Sequence, residues 1–301
     1  MNSAPIPIFS VIIPTYNHGH FIGRSLQSLL DQTLVSWEAI IIDNHSQDNT
    51  DEVIAKFADP RITLLKIHNH GVIAASRNMG IRAAKGEWIA FLDSDDWWVP
   101  RKLELSFAVI DSRVDFVYHD LFIARNREQI FFSERIVSTK PRRPMFSAFL
   151  CSGMSVPNSS VVIRRDLLDR IGGESEKQDL ISVEDLDTWV RVARITERFV
   201  RHPECLGYYW LGGGNLSAAS LMQITRISAL YEQYFGELNS VELRHSKGFL
   251  AYRIGRIAQL CDERETASKN FFLALRNSNN LLFRAKALYF LALNLLSRPF
   301  S

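Results

Sequence analysis

Four short, unbroken apolar runs alternate with helix-length segments over the first third of the chain: Phe9–Ile13, Trp37–Ile42, Ile62–Ile67 and Trp88–Leu92. Between them, Phe21, Ile22, Leu26, Leu29 and Leu30 share one helical face. Val53, Ile54 and Phe57 mark a shorter helix, and Val72–Ala84 a third. Continuous runs, unlike alternating ones, predict strands covered on both faces. Strands joined through helices predict right-handed βαβ units in a mostly parallel sheet, an α/β fold. In such sheets ligands bind beyond the carboxyl ends of the strands. There the sequence places Thr15-Tyr16-Asn17, Asp43-Asn44 and Asp93-Ser94-Asp95-Asp96.

The pattern then loosens. Asp115–His119 and Ser160–Arg164 read as strands and Glu184–Ile195 as a helix. From Ala218 onward the chain is almost entirely helical, with apolar stripes at Ile254, Ile257, Ala258 and Cys261, at Ala267, Phe271, Ala274 and Leu275, and over Leu281–Leu296. Asp262–Glu265 and Asn277–Asn280 are the turns between them. No repeat or low-complexity segment is present.

Charge separates the two parts. The whole chain of 301 residues carries +2, but Arg244 to the end carries +7 and the remainder −5. No global positive field calls for nucleic acid. Three scattered cysteines, Cys151, Cys205 and Cys261, fit neither a disulfide framework nor a zinc ribbon and point to a reducing compartment. The first residues lack a basic and apolar leader, and Leu281–Leu296 is interrupted by Arg284, Lys286 and Asn294. These features predict a cytoplasmic protein, soluble or lying on the inner face of the membrane.

Several chemistries are excluded by their missing motifs. There is no G-x-x-x-x-G-K-S/T loop and no nucleophile elbow, and Gly212-Gly213-Gly214 does not open a helix after a strand. The pairs His18/His20 and His68/His70 have no third ligand nearby in sequence and read as loop histidines. The Asp93–Asp96 cluster is different, because carboxylates crowded at a buried strand end repel one another unless something neutralises them. Either Asp95 or Asp96 caps the helix near Pro100–Leu105, or the cluster holds Mg2+ or Mn2+ bridged to substrate phosphates. The strand context favours the second.

Four ordered motifs carry a resemblance: Phe9-Ser-Val-Ile-Ile-Pro-Thr-Tyr-Asn17, Ile42-Asp-Asn-His-Ser46 with Asp48 and Thr50, Ala75-Ser-Arg-Asn-Met-Gly80, and Lys85-Gly-Glu-Trp-Ile-Ala-Phe-Leu-Asp-Ser-Asp-Asp96 with Pro100 and Lys102-Leu103. The chain resembles the inverting family 2 glycosyltransferases of GT-A fold over residues 8–110. The likeness resumes at Glu184–Arg191 and at Tyr208-Tyr209…Asn215-Leu216-Ser217. The resemblance implies a GT-A domain over 1–217, with a nucleotide-sugar-binding half (8–110) and an acceptor-binding half (111–217), followed by a helical region, 218–301. It implies transfer from a UDP-sugar, or a dTDP-sugar, to a hydroxyl of a lipid-linked glycan.

The same resemblance assigns roles. Pro14, Thr15, Tyr16 and Asn17 would line the base, with the Tyr16 ring stacking on it, and Asp43 would accept from a base N–H. Arg77 would pair with the diphosphate or base edge. Asp93 would reach ribose or metal beside Ser94, and Asp95 would hold Mn2+ or Mg2+. Asp185 would be the base, with Glu184 positioning it and Asp187 as the other candidate. Asp43 is followed by Asn44 where many relatives have a second Asp, and the places of a downstream Arg and His read Trp210 and Gly212. His202 or His245 could substitute as ligand. Arg253, Arg256, Lys269, Arg276, Arg284 and Lys286 could hold anionic lipid, or the helices could pack on the catalytic domain or pair two copies. Two other readings remain: a nucleotide-sugar-binding scaffold, and a nucleotidyltransferase, which would need a Gly-rich basic loop after the first strand.

Overall fold

A computed structural model of the chain describes residues 6–212, 219–278 and 280–296; Gly213, Gly214 and Asn215-Leu216-Ser217 lie outside the described residues. The chain divides into two compact units, each built from separated stretches. One is Met1–Pro141, Ser155–Glu176 and Ile195–Gly213, and the other Arg142–Met154, Lys177–Arg194 and Gly214–Ser301.

In the first unit the chain runs through β1 (Phe9–Thr15), α1 (Gly19–Leu30), β2 (Trp37–Asp43), α2 (Thr50–Ala55), β3 (Ile62–Lys66), α3 (Ile73–Ala83) and β4 (Trp88–Phe91). It continues with β5 (Trp97–Trp98), α4 (Lys102–Ala108), β6 (Phe116–Ala124) and β7 (Arg135–Ile136). After α5 (Met145–Cys151) of the second unit come β8 (Val162–Arg164) and α6 (Arg165–Arg170). After α7 (Glu184–Ala193) of the second unit comes β9 (Phe199–Trp210). Among the described residues these strands form one sheet ordered β3-β2-β1-β4-β8-β6-β9-β5, with β7 on β6.

The first four strands are mutually parallel, and Thr15 stands beside Asp43 in the β1–β2 register. Adjacent parallel strands end on the same side, so the polar residues after β2, β1 and β4 meet at one edge. Beyond β4 the pairing is mixed: β8 is antiparallel to β4 and β6, β9 parallel to β6, and β5 antiparallel to β9. All seven residues of β1 are buried. Phe9, Val11 and Ile13 join Leu26, Leu29, Trp37, Ile41 and Trp88 in one core cluster. α3 lies close on the sheet because Gly80 has no side chain. A Cβ there would come within 2.7 Å of Ile12 Cγ2 and Ile42 Cδ1.

One buried group sits uneasily. The Lys102 side chain is fully buried, its Nζ is 3.7 Å from the Trp98 ring centroid, and it finds no hydrogen-bond acceptor among the described residues. Burial pushes its ammonium well below the usual lysine range. Below the unfolded pKa of about 10.4, the unfolded chain therefore binds a proton that the folded chain holds weakly, so stability rises with pH. Lys102→Met is expected to raise the thermal midpoint at pH 7 and to flatten the rise in stability between pH 7 and 10. Melting curves at the two pH values check both, and a lower midpoint at pH 7 would show that the cation over Trp98 is net stabilising.

The second unit holds α5, α7, α8 (Leu221–Glu232), α9 (Ser240–Leu260), α10 (Arg264–Asn277) and α11 (Leu281–Leu296). α9 begins on a capping box in which Asn239 and Glu242 satisfy each other's backbone N–H groups. Ala251, Ala258, Ala267, Phe271, Ala274, Ala287 and Leu291 form the core shared by the last three helices. Among the described residues no helix is long and apolar enough to cross a membrane.

Candidate active site

The loop after β1 is tied to the loop after β2. Asn17 adopts a left-handed conformation (φ 52°), which asparagine tolerates better than most residues. Its N–H donates to Ser46 Oγ at 2.8 Å, and its Oδ1 accepts from the Gln47 N–H at 2.7 Å. Gly19 N–H donates to Asp48 Oδ2 at 3.0 Å. Pro14 and Thr15 are buried in the strand end, whereas Tyr16 is 49% exposed and its ring is open to a partner.

Asp43 is fully buried at the end of β2. Its carboxylate accepts from the Ser46 hydroxyl, from the Ser46 N–H at 2.9 Å and from Lys66 Nζ at 2.8 Å. Of roughly four lone-pair sites on a carboxylate, three are used, which leaves one for an incoming N–H.

Arg77 is buried, at 3% exposure. Its Nη2 donates to Asp93 Oδ1 at 2.9 Å and its Nη1 to Glu174 Oε2 at 3.3 Å. Asn158 Nδ2 reaches the same Asp93 oxygen at 3.1 Å, and the Asp93 N–H donates to Ser159 Oγ at 3.0 Å. Arg77 thus orients Asp93 from behind. Ser94 is buried, and its Oγ lies 2.7 Å from His18 Nδ1, so that histidine belongs to the site and not to a solvated loop.

Neither Asp95 nor Asp96 caps the helix that follows: α4 has Arg101 at its N-cap and no side-chain cap. Asp96 instead accepts the Trp210 N–H at 2.8 Å, tying β9 to the end of β4. Trp210 also packs near Arg24, whose guanidinium stacks 3.4 Å over Trp97 and 5.5 Å from the Trp210 ring. His202 lies near the opposite end of β9 from Trp210, where its Nδ1 accepts from the Glu204 N–H at 3.2 Å. His245 belongs to α9 of the other unit.

Electrostatically the cluster is short of positive charge. Burial, and then the neighbouring Asp93 carboxylate, push Asp95 up to about 7. Burial together with Asp95 and Asp93 pushes Asp96 well above the ordinary carboxylate range. Among the described residues no set of three His, Cys, Asp or Glu side chains could hold an ion alone. Crowded hard oxygen donors without a complete protein cage suit a divalent cation whose shell is completed by phosphate oxygens. Asp93 and Asp95 are the residues that would hold Mn2+ or Mg2+.

A pH test follows. With its folded pKa raised, Asp95 stabilises the metal-free fold below its unfolded pKa, and that contribution is lost as pH rises through 7. Metal binding runs the other way, because the ion competes with the proton. Mn2+ added with UDP is expected to bind about tenfold more weakly at pH 6 than at pH 8, read from the rise in thermal midpoint. Equal rises at both pH values would remove Asp95 from the site.

In the second unit, Asp187 is buried and its carboxylate is held by three side chains. It accepts from Arg191 Nε at 2.7 Å, Gln233 Nε2 at 2.8 Å and the Tyr234 hydroxyl at 2.6 Å. These bonds anchor α7. Asp185, at the start of α7, is half-buried and accepts the Leu186 N–H at 2.7 Å, and its neighbour Glu184 is buried.

A parallel half-sheet that gathers an aromatic ring, a buried carboxylate and an Asp-Ser-Asp turn at its carboxyl edge is the framework of an α/β GT-A fold. The structure of S. aureus TarS 1-349 in complex with UDP superposes with a TM-score of 0.63 at 18% identity, covering 97% of this chain and 93% of that one. The mannosyltransferase PcManGT of Pyrobaculum calidifontis, in complex with GDP-Man and Mn2+, superposes at 0.60 with 20% identity, covering 96% and 81%. The chain belongs to glycosyl transferase family 2, whose family model matches residues 10–172. Two curated Escherichia coli relatives are UDP-Glc:alpha-D-GlcNAc-diphosphoundecaprenol beta-1,3-glucosyltransferases. WfgD is 38% identical over 120 residues, 40% of this chain and 47% of its own length. WfaP is 29% identical over 222 residues, 73% and 84% respectively. The match therefore spans about half of WfgD.

Proposed function

We propose that this chain is an inverting glycosyltransferase that moves a sugar from a nucleotide-diphosphate sugar, a UDP-sugar, to a hydroxyl of a lipid-linked glycan. On this reading residues 8–110 bind the donor, 111–217 the acceptor, and the protein works at the inner face of the membrane. The observation that carries it is the Asp93-Ser94-Asp95 turn, held by Arg77, Asn158 and His18 at the same sheet edge as Tyr16 and Asp43. The names of WfgD and WfaP, and the UDP bound to TarS, support the donor and acceptor classes.

Tyr16 stacks on the base, and the remaining acceptor site of Asp43 takes a base N–H, which favours uracil. Asp185 accepts the proton of the acceptor hydroxyl as its oxygen attacks the anomeric carbon from the face opposite the diphosphate. The bond from that carbon to the diphosphate oxygen breaks, configuration inverts, and the nucleoside diphosphate leaves. A divalent cation at Asp93 and Asp95, when bound, neutralises the charge that develops on the leaving diphosphate. Glu184 positions Asp185 from the preceding residue.

Thermal unfolding with UDP, dTDP, GDP and ADP, each with and without Mn2+, tests the donor class. Ligand at 100 Kd adds about 2.7 kcal/mol, a shift of a few degrees. A Mn2+-dependent shift with UDP alone is expected. A shift with GDP and not UDP would reassign the base, and no shift with any nucleotide would leave a scaffold role.

A further inference from the structure

The last helix presents a face that neither the site nor the packing of its own unit uses. α11 buries Ala287, Leu291 and Asn294, with Phe290 half-buried beside them. Advancing about 100° per residue, the opposite side forms a sector roughly 160° wide. It carries Leu281, Leu288, Tyr289 and Leu296, which are 79%, 59%, 60% and 79% exposed, with Ala285 and Ala292 along its middle. No charged residue falls inside this sector, and α11 has no Asp or Glu.

Its two cations are placed at the borders. On the same projection Arg284 marks one edge of the apolar sector and Lys286 the other. Both are exposed, and neither is ion-paired with a carboxylate among the described residues. On α9, Arg256 is used differently: its guanidinium stacks 3.6 Å over Phe290.

We infer that the outward face of α11 is a membrane-docking surface, which lies flat in the interface of an anionic bilayer with Arg284 and Lys286 reaching the headgroups. An uncharged apolar face bordered by cations is the pattern of an interfacial helix, whose face enters the boundary between headgroups and acyl chains. The aliphatic stems of Arg284 and Lys286 can run along the apolar surface while their charged heads return to the phosphates. Arg284, Lys286 and Asn294 interrupt the sixteen described residues of α11, so they suit the interface and not the hydrocarbon core. A second copy of this chain is a poorer occupant. A two-fold contact through this face would set its cationic borders against their own copies, with no carboxylate on the helix to answer them.

The inference stands on α11 alone and needs no nucleotide, so its failure is separable from failure of the donor reading. The full chain is mixed with vesicles of phosphatidylcholine containing a third phosphatidylglycerol, and with vesicles of phosphatidylcholine alone, and bound protein is measured by sedimentation. Binding to the anionic vesicles that weakens with added salt is expected. Leu288→Glu combined with Leu296→Glu should lower the partition coefficient about tenfold or more. Arg284→Ala and Lys286→Ala should each lower it about fivefold on anionic vesicles and much less on neutral ones. Both leucines are exposed, so circular dichroism and the UDP-induced thermal shift should be unchanged in that variant. Absence of binding to either vesicle, or binding that the leucine variant leaves intact, overturns the inference. So does a dimer in solution that the leucine variant dissociates, which would give the face to a second copy.

Discussion

Asp185→Asn is expected to abolish sugar transfer, lowering the rate by about 10²–10⁴-fold, while the thermal shift produced by UDP stays as in the parent. The substitution keeps shape and volume and removes only the capacity to take a proton. Asp185 stands half-buried at the start of α7, where its Oδ1 accepts the Leu186 N–H at 2.7 Å. Asp187, two residues on, accepts from three side chains. Asp187→Asn should therefore register chiefly as a lower melting temperature. Transfer rates under saturating donor, read beside melting curves, separate the two. Survival of transfer in the Asp185 variant would take the base assignment away from this residue.

Arg77→Met is expected to destabilise the first unit by about 3–5 kcal/mol, the largest stability effect of any single side chain at the site. Arg77 is 4% exposed at its side chain, against 0% for Glu174 and 26% for Asp93, so its loss removes a cation that answers one fully buried and one partly buried carboxylate. Replacing one partner of a buried pair costs more than replacing both, because an uncompensated charge remains. Adding Glu174→Met to Arg77→Met should therefore recover part of the lost stability, measured by urea denaturation. If the double variant is less stable than the single one, Glu174 is held by other contacts. Transfer should stay impaired in both, since Asp93 loses its orienting donor at 2.9 Å.

The parallel half of the sheet was legible because its strands are buried on both faces. Phe9–Ile13 and Trp37–Ile42 leave no other reading, and β1 and β2 extend each run only as far as Thr15 and Asp43. β9 was not legible. Its twelve residues include Pro203, Glu204 and Gly207, and their register on β6 shifts twice near Asp120, so neither a continuous nor an alternating pattern survives. The two-residue strands β5 and β7 are too short to carry a period at all.

At the site, what the sequence announced were the residues bound to chain ends of strands: Thr15, Tyr16, Asp43, Asp93 and Asp95. What it did not announce were their holders. Glu174 is 97 residues from Arg77, Asn158 is 65 from Asp93, and His18 is 76 from Ser94. His18 carried a faint signal, being the residue after Asn17, but a lone loop histidine has no period to betray a partner.

By itself, then, the sequence determined the βαβ frame, the sheet edge at which the polar residues gather and the carboxylate-rich turn at its centre. Each of these follows from local periodicity and from the rule that parallel strands end together. Tertiary structure alone decided which carboxylates are spent on protein and which remain for chemistry. Asp187 is tied down by Arg191, Gln233 and Tyr234, and one oxygen of Asp96 by the Trp210 N–H, whereas burial raises the pKa of both Asp95 and Asp96. It also decided that the apolar face of α11 points outward. A carboxylate's partners and a helix's exposed side depend on contacts between residues distant in the chain, and no spacing along a sequence encodes those distances.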